Sequence, residues 1–250
     1  ESSAASDVYK RQFPWREPVQ ALPVSECRLS EIEQTIALEA YLTQPGSISN
    51  ITIRAQQPST WPPLALNQAM VEVQAAGLNF RDVLNVLGLD PTGLVRPIGG
   101  EAAGVVSGVG SACGHVRPLE HAYGLISGGL RTHALCDARY ISRTPSLPFE
   151  HAVTLPVVWI TAHYCMREAR LRSMHHVLVH AASGGVGLVT VEWVQRARAI
   201  TYATAGGVAK HALLHSRCVG RIASSRNADA CGGYLPPVSY THLTLPTIRS

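Results

Sequence analysis

The sequence has little charge, few aromatic residues and no long apolar run. Charged residues make up 15% of its 250 residues, and the formal net charge of +4 comes from scattered lysines and arginines. A nucleic-acid-binding surface would concentrate its basic residues, so we expect no nucleic-acid partner. No apolar stretch reaches the roughly 18–20 residues that a membrane-spanning helix needs, so we expect no membrane span. The hydrophobic content of 46% is typical of a globular protein.

Closely spaced cysteines are also lacking. None of the six cysteines forms a C-x-x-C pair, the spacing common in zinc sites and redox motifs. A disulfide framework is typical of small secreted domains rather than of a chain this long. We therefore predict reduced, partly buried thiols. The cysteines are Cys27, Cys113, Cys136, Cys165, Cys218 and Cys231.

Both ends of the sequence differ in character from the rest. Residues 1–12 and 238–250 resemble translated read-through of sequencing adapters, with natural disordered tails as the alternative. We exclude them from the fold argument and expect the remainder to be a fragment of a longer protein. Residues 13–37 are mixed and contain proline, which is typical of a linker or the end of a preceding domain. Residues 1–37 are thus assigned to a linker and an artefact terminus.

The residues from 38 to 150 predict a mostly β domain. Short alternating segments bounded by turn residues, such as those around Pro45, are typical of strands joined by tight turns. A helix is expected at 81–88, where apolar residues recur at helical spacing. The small, glycine-rich segment at 99–113 predicts a strand and hairpin in a tight barrel.

The residues from 151 to 237 predict the first half of a nucleotide-binding α/β domain. Two helical pieces with a break at Pro156 precede a short apolar strand at 177–179, a glycine-rich turn, a helix and a second strand at 200–204. This β–turn–α–β pattern has the size of a dinucleotide-binding unit. A third strand is predicted around Ile222. The fold class is therefore α/β, with a β-rich domain followed by a truncated doubly wound sheet.

The glycine-rich turn predicts dinucleotide binding, with a purely structural turn as the alternative. A strand before it and a helix after it provide the context in which such a turn holds a pyrophosphate. Gly184 leaves room for the phosphates, Gly187 lets the helix pack on the strand, and the helix N-terminus offers free N–H groups. The turn consists of Ala182, Ser183, Gly184, Gly185, Val186 and Gly187, with Ala182 where the pattern has its first glycine.

The end of the second strand favours NADPH. An NAD site places Asp or Glu there to accept from the ribose 2′-hydroxyl, but here Thr204 is followed by small residues. Lys210 and Arg226 lie further along and would suit a 2′-phosphate. The alternative is that these two cations are solvated surface residues.

Four segments together resemble one family: 75–88, 99–110, 177–187 and 222–229. They are similar to the enoyl reductase domain of polyketide and animal-type fatty acid synthases, within the medium-chain dehydrogenase/reductase superfamily and close to quinone oxidoreductases. The resemblance covers about residues 38–230. It implies a GroES-like β-rich domain followed by a Rossmann domain.

The resemblance also implies an activity: NADPH-dependent reduction of an enoyl thioester on an acyl carrier protein, beside other domains of a cytoplasmic or organellar multienzyme. A free-standing quinone or enone reductase and a non-catalytic NADP-binding module are the alternatives. Zinc-dependent members carry a G-H-E histidine, where this chain has Gly100, so we expect no metal. As a fragment, the chain is expected to bind NADPH poorly and to have little activity.

Particular site residues follow from the same resemblance. Lys210 and Asp229 match proposed proton donors or organisers, although Lys210 would alternatively bind the cofactor phosphate. Asn79 and Asp82 would line the nicotinamide end, with capping of the following helix as the alternative. Thr161 would contact the cofactor, with a buried helix hydroxyl as the alternative.

Two positions depart from the family pattern. Some relatives carry a tyrosine, which influences α-protonation, where this chain has Asp90 before Pro91, so that role is absent. Relatives usually read P-G-D-R-V where this chain has Leu119 after Pro118. Loss of the turn glycine leaves the geometry of that turn open.

Overall fold

The computed structural model describes residues 37–57 and 63–226 of the chain. The first element is a two-stranded antiparallel sheet, in which β1 (Leu38–Leu42) pairs with β2 (Ile51–Ala55). This pairing confirms the two strands predicted on either side of Pro45.

A five-stranded antiparallel sheet forms the centre of the β-rich part. Its strands are β3 (Gln68–Gly77), β4 (Glu101–Val109), β5 (His121–Leu125), β6 (His133–Asp137) and β7 (Ile141–Arg143). They are arranged in the order β6-β3-β4-β5-β7. Because β6 and β7 are separate edges, this sheet does not close on itself within the described residues, and the expectation of a tight barrel is wrong there.

Three α-helices of the described residues follow strands of this sheet along the chain. Helix α1 (Phe80–Val86) follows β3, and α2 (Phe149–Ala152) and α3 (Pro156–Glu168) follow β7. Pro156 is the first residue of α3, where its missing N–H breaks no intrahelical hydrogen bond. The structure therefore confirms the helix break predicted at Pro156.

Three parallel strands form a third sheet, and helices connect them. They are β8 (His176–Val179), β9 (Ile200–Ala205) and β10 (Arg221–Ser224), connected by α4 (Gly185–Arg196) and α5 (Val208–Ser216). The order is β10-β9-β8, with β9 in the centre. This arrangement confirms the predicted β–turn–α–β unit, the third strand and the α/β fold class.

Each of the two larger sheets has its own cluster of buried side chains. Val71 and Val106 belong to the cluster on the antiparallel sheet, and Val191 and Leu214 belong to the cluster on the parallel sheet. Separate cores are typical of separate domains, but the domain limits stay predictions. The predicted tail at 238–250 lies outside the described residues.

Four cysteines in the described part are free thiols. Cys136 is buried, and this burial raises the pKa of its thiol to about 12. Burial also raises the pKa of Cys165, whereas Cys218 is exposed and Cys113 is half-buried. All four are free thiols as predicted, but Cys218 departs from the predicted partial burial. The other two cysteines lie outside the described residues.

The turn at Leu119 forms without its glycine. The N–H of Glu120 donates to the carbonyl of Arg117 at 3.2 Å, with Pro118 and Leu119 as the central residues. Leu119 has a φ of 69°, the left-handed value that a type II turn requires at its third residue. A side chain with a Cβ makes this conformation unfavourable by about 1–2 kcal/mol.

Leu119→Gly should therefore stabilise the fold. Relief of the left-handed strain outweighs the extra conformational entropy of glycine in the unfolded state, for a net gain of about 0.5–1 kcal/mol in the free energy of unfolding. Urea denaturation measures this gain. Leu119→Ala is the control, because alanine keeps the Cβ and the leucine side chain is largely exposed; an equal gain from alanine would contradict the assignment of strain.

Candidate functional site

The glycine-rich turn opens α4 at the carboxyl edge of the parallel sheet. Gly184 is the N-cap residue, with extended backbone and no side-chain cap. The first N–H groups of a helix have no intrahelical partner, and both Gly184 and Gly185 are exposed. A Cβ added to Gly184 would make only an ordinary contact, 3.4 Å from the carbonyl oxygen of Ala181. Packing therefore does not demand glycine at 184, and its effect is to leave the helix N-terminus uncovered.

Gly187 controls how closely α4 approaches β8. A Cβ added there would lie 2.6 Å from the carbonyl oxygen of Ala181 and 2.6 Å from the Cα of Ala182. Both are backbone atoms, which cannot move aside as a flexible side chain can. The helix can take this position only because residue 187 has no side chain.

Thr204 forms hydrogen bonds that support the glycine-rich turn. Its hydroxyl oxygen accepts from the N–H of Ala181 at 3.1 Å and lies 3.3 Å from Nδ1 of His180, while its carbonyl accepts from the N–H of Ala182 at 2.9 Å. Ala181 has a φ of 49°, so the left-handed residue comes one position before the missing glycine at Ala182. Since Thr204 is buried, its side chain holds the turn in place rather than facing open space.

The start of α3 lies beside the turn. A Cβ added to Gly185 would be 3.1 Å from Cγ1 of Val158, in the first turn of α3. Thr161 follows three residues later and is half-buried, as are Ser183 and Val186. Thr161 therefore lies on a helix whose first turn contacts the predicted phosphate-binding segment.

The two candidate cations follow the carboxyl ends of neighbouring strands. Arg226 comes after β10, and its Nε lies 3.7 Å from a Cβ built on Gly206, which follows β9. Lys210 lies in the first turn of α5, and both cationic residues are exposed. Asp229, the other predicted proton donor, lies outside the described residues.

Hydrogen bonds of Asp82 and Asn79 fix the start of α1. The carboxylate of Asp82 accepts from the N–H of Asn79 at 2.8 Å and from the N–H of Gly99 at 2.9 Å. Both carboxylate oxygens of Asp82 therefore accept from backbone N–H groups. This is the helix-capping role that was the alternative to a position at the nicotinamide end. Nδ2 of Asn79 donates to Oε1 of Glu101 at 2.8 Å.

Glu101 is a buried acid beside the candidate site, and the sequence analysis did not identify it. It is 4% exposed, and its Oε2 accepts from the N–H of Val157 at 2.9 Å. In the sequence, Glu101 is only the acidic residue that follows Gly99 and Gly100. A signal was present, because an acidic residue directly before the small apolar residues of a buried strand needs a polar partner.

Asp90 has a local structural role in place of the tyrosine of some relatives. Its Oδ1 accepts from the hydroxyl and the N–H of Thr92, and Oδ2 lies 3.4 Å from Nε of Arg81. The hydrogen bonds from Thr92 and the guanidinium of Arg81 hold the pKa of this carboxyl below its usual range. Asp90 therefore stabilises the loop after α1 as an ionised group.

Neither a metal cluster nor a membrane-spanning helix occurs in residues 37–57 and 63–226. Within these ranges no group of three or more His, Cys, Asp or Glu side chains is arranged to hold a metal ion. No helix in the same part of the chain is long and apolar enough to cross a membrane.

The sequence relatives are polyketide synthases, although no protein-family model matches the chain. Erythronolide synthase EryA2 of Saccharopolyspora erythraea is 39% identical over 187 residues, which is 72% of this chain and 5% of the synthase. Spectinabilin polyketide synthase system protein NorB of Streptomyces orinoci is 38% identical over 188 residues, 74% of this chain and 8% of that protein. The chain thus spans a small part of the synthases it matches.

Solved structures define the class of fold. The CurK enoyl reductase has a TM-score of 0.72 and 33% identity, covering 79% of this chain and 62% of that one. The quinone oxidoreductase from Coxiella burnetii has a TM-score of 0.71 at 21% identity over 81% of this chain and 66% of that one, a likeness of fold alone. The chain has the fold of the enoyl reductases and quinone oxidoreductases of the medium-chain dehydrogenase/reductase type. Within this class, the resemblance to the enoyl reductase domain of polyketide synthases is confirmed.

Gly187→Ala should destabilise the protein by about 1–3 kcal/mol, because the new methyl group overlaps the backbone at the end of β8. Chemical denaturation followed by circular dichroism measures the change. Gly114→Ala is the matched control, since nothing lies within 4 Å of a Cβ added at that glycine. Equal unfolding midpoints for the two variants would show that the helix and strand are less closely packed than described.

Proposed function

We propose that this chain is part of an NADPH-dependent enoyl reductase that acts on an enoyl thioester carried by an acyl carrier protein of a polyketide synthase. The observation that carries the proposal is the uncovered glycine turn at the N-terminus of α4, in a chain whose sequence relatives are polyketide synthases. Neighbouring synthase domains and a cytoplasmic setting belong to the same proposal.

The turn fits a pyrophosphate. Gly184 and Gly185 are exposed and carry no side chain, so an anion can approach the backbone directly. The first N–H groups of α4 and the partial positive charge of its N-terminus attract phosphate oxygens. Ser183, Val186 and Thr204 shape and support this turn, and Thr161 would contact the cofactor from α3.

The cations favour the phosphorylated cofactor. β9 ends at Ala205 and is followed by Gly206, so no carboxylate stands there to accept from a ribose 2′-hydroxyl or to repel a 2′-phosphate. Arg226 lies beside Gly206, and Lys210 follows in the first turn of the next helix. This placement favours phosphate binding by Lys210 over proton donation.

Bound NADPH would supply the hydride that reaches the β-carbon of the enoyl group. The chain must then stabilise negative charge on the thioester oxygen and deliver a proton to the α-carbon. Asp229 stays the predicted proton donor or organiser, while Lys210 is assigned to the cofactor phosphate. We assign Asn79 to the nicotinamide end, where the carboxylate of Asp82 would hold it by accepting from its N–H.

A turnover assay on the full-length protein that carries this sequence tests the reaction. We expect NADPH oxidation, followed by its nicotinamide absorbance, with crotonyl-pantetheine and little or none with a benzoquinone. Turnover with the quinone alone would instead indicate a quinone oxidoreductase. Failure with both acceptors would indicate a non-catalytic NADP-binding module.

Variants of the two cations test the choice of cofactor. Arg226→Ala and Lys210→Ala should each weaken NADPH binding about tenfold or more and leave NADH binding unchanged, because a hydrogen bond to a charged group contributes about 1.5–3 kcal/mol. Fluorescence titration measures both affinities. Arg172→Ala, at an exposed arginine between α3 and β8, is the control. Equal losses for both cofactors would count against a 2′-phosphate contact.

A further inference from the structure

Glu101 joins two parts of the chain through its two carboxylate oxygens. Oε1 accepts from Nδ2 of Asn79 at 2.8 Å, and Oε2 accepts from the N–H of Val157 at 2.9 Å. Asn79 precedes α1, and Val157 lies in the first turn of α3. A Cβ added to Gly77 would lie 2.5 Å from Cγ of Glu101, so the glycine at 77 makes room for this side chain.

The carboxylate is stabilised by a helix rather than by a cation. Within the described residues no lysine, arginine or histidine forms an ion pair with Glu101. A buried carboxylate needs compensation, which the amide of Asn79 and the positive end of the 13-residue helix α3 supply. Glu101 is thereby held as an acceptor at both oxygens.

This bond fixes the orientation of the Asn79 amide. Oxygen and nitrogen of an asparagine amide are usually assigned from their hydrogen-bond partners. A carboxylate only accepts, so the NH₂ group of Asn79 faces Glu101 and its Oδ1 is directed away from it. The start of α3 is fixed by the same residue, and Val158 there lies against Gly185 of the phosphate turn.

We propose that Glu101 is a positioning residue of the reductase site. It sets the amide of Asn79 at the nicotinamide end and the start of the helix that contacts the phosphate turn. At 4% exposure its side chain is almost fully covered by protein, and it acts through these two partners. This assignment rests on the proposed function.

Glu101→Gln in the full-length protein tests the assignment. Glutamine has the same size, and its carbonyl oxygen can keep the hydrogen bond from the N–H of Val157. Its NH₂ group then faces Asn79, so that the Asn79 amide either turns over or loses its hydrogen bond. We expect kcat for crotonyl-pantetheine reduction to fall about tenfold or more while the Kd for NADPH changes less than about threefold. Glu72→Gln, on the exposed face of β3, is the matched control. A kcat within about twofold of the parent would overturn the proposal.

A double-mutant cycle with Asn79→Ala shows whether Glu101 acts through Asn79. If it does, the double variant has the kcat of Asn79→Ala alone, because the amide that Glu101 orients is already gone. Effects that multiply would overturn the assignment, since they would mean that the two residues act independently.

Amide hydrogen exchange provides a readout that does not depend on activity. In the parent, the N–H of Val157 should be protected, and in Glu101→Ala, which removes its acceptor, its exchange should be about tenfold or more faster, with the cooperative unfolding transition retained. If the alanine variant does not fold, Glu101→Asp replaces it, because the shorter side chain cannot reach both donors. Rapid exchange of Val157 in the parent would overturn the proposal. If the parent shows no turnover, the proposed function fails, while the exchange data still decide whether Glu101 holds α3.

Discussion

The close approach of α4 to the end of β8 is the contact on which the candidate site depends. At Gly187 the helix backbone lies directly against Ala181 and Ala182, with no space for a Cβ. Ala181 is held in the left-handed region while its N–H donates to the buried hydroxyl of Thr204. This arrangement opens the helix N-terminus at Gly184. The close approach at Gly187 therefore leaves the first N–H groups of α4 accessible to an anion.

The other end of the site depends on hydrogen bonding to a buried acid. Glu101 begins a strand of small residues, and its neighbour on β3, Gly77, has no side chain to occupy the space that the glutamate fills. Its donors, Asn79 and Val157, come from separate segments, so that their relative position is fixed by one carboxylate. Close packing at Gly187 shapes the glycine-rich turn, and the carboxylate of Glu101, as a shared acceptor, fixes Asn79.

Local patterns were sufficient for most elements of the fold. The alternation around Pro45 and the proline at 156 identified strands and a helix break, because turn residues and proline act over a few neighbouring positions. The expectation of a barrel was wrong, since sheet closure depends on pairing between edges that no single segment encodes. At Leu119 the turn formed despite the missing glycine, because the surrounding strands hold its ends together.

The sequence by itself determined the glycine turn, the order of strands and helices around it, and the absence of an acid after β9. These features are encoded within short segments, where spacing and residue type specify backbone conformation. Only the tertiary structure decided that Asp82 is a cap, that Thr204 lies beneath the turn and that Glu101 joins Asn79 to α3. The physical reason is distance along the chain: Glu101 is separated by 22 residues from Asn79 and by 56 from Val157. Hydrogen bonds of that span exist only once the sheet and the helix have packed together.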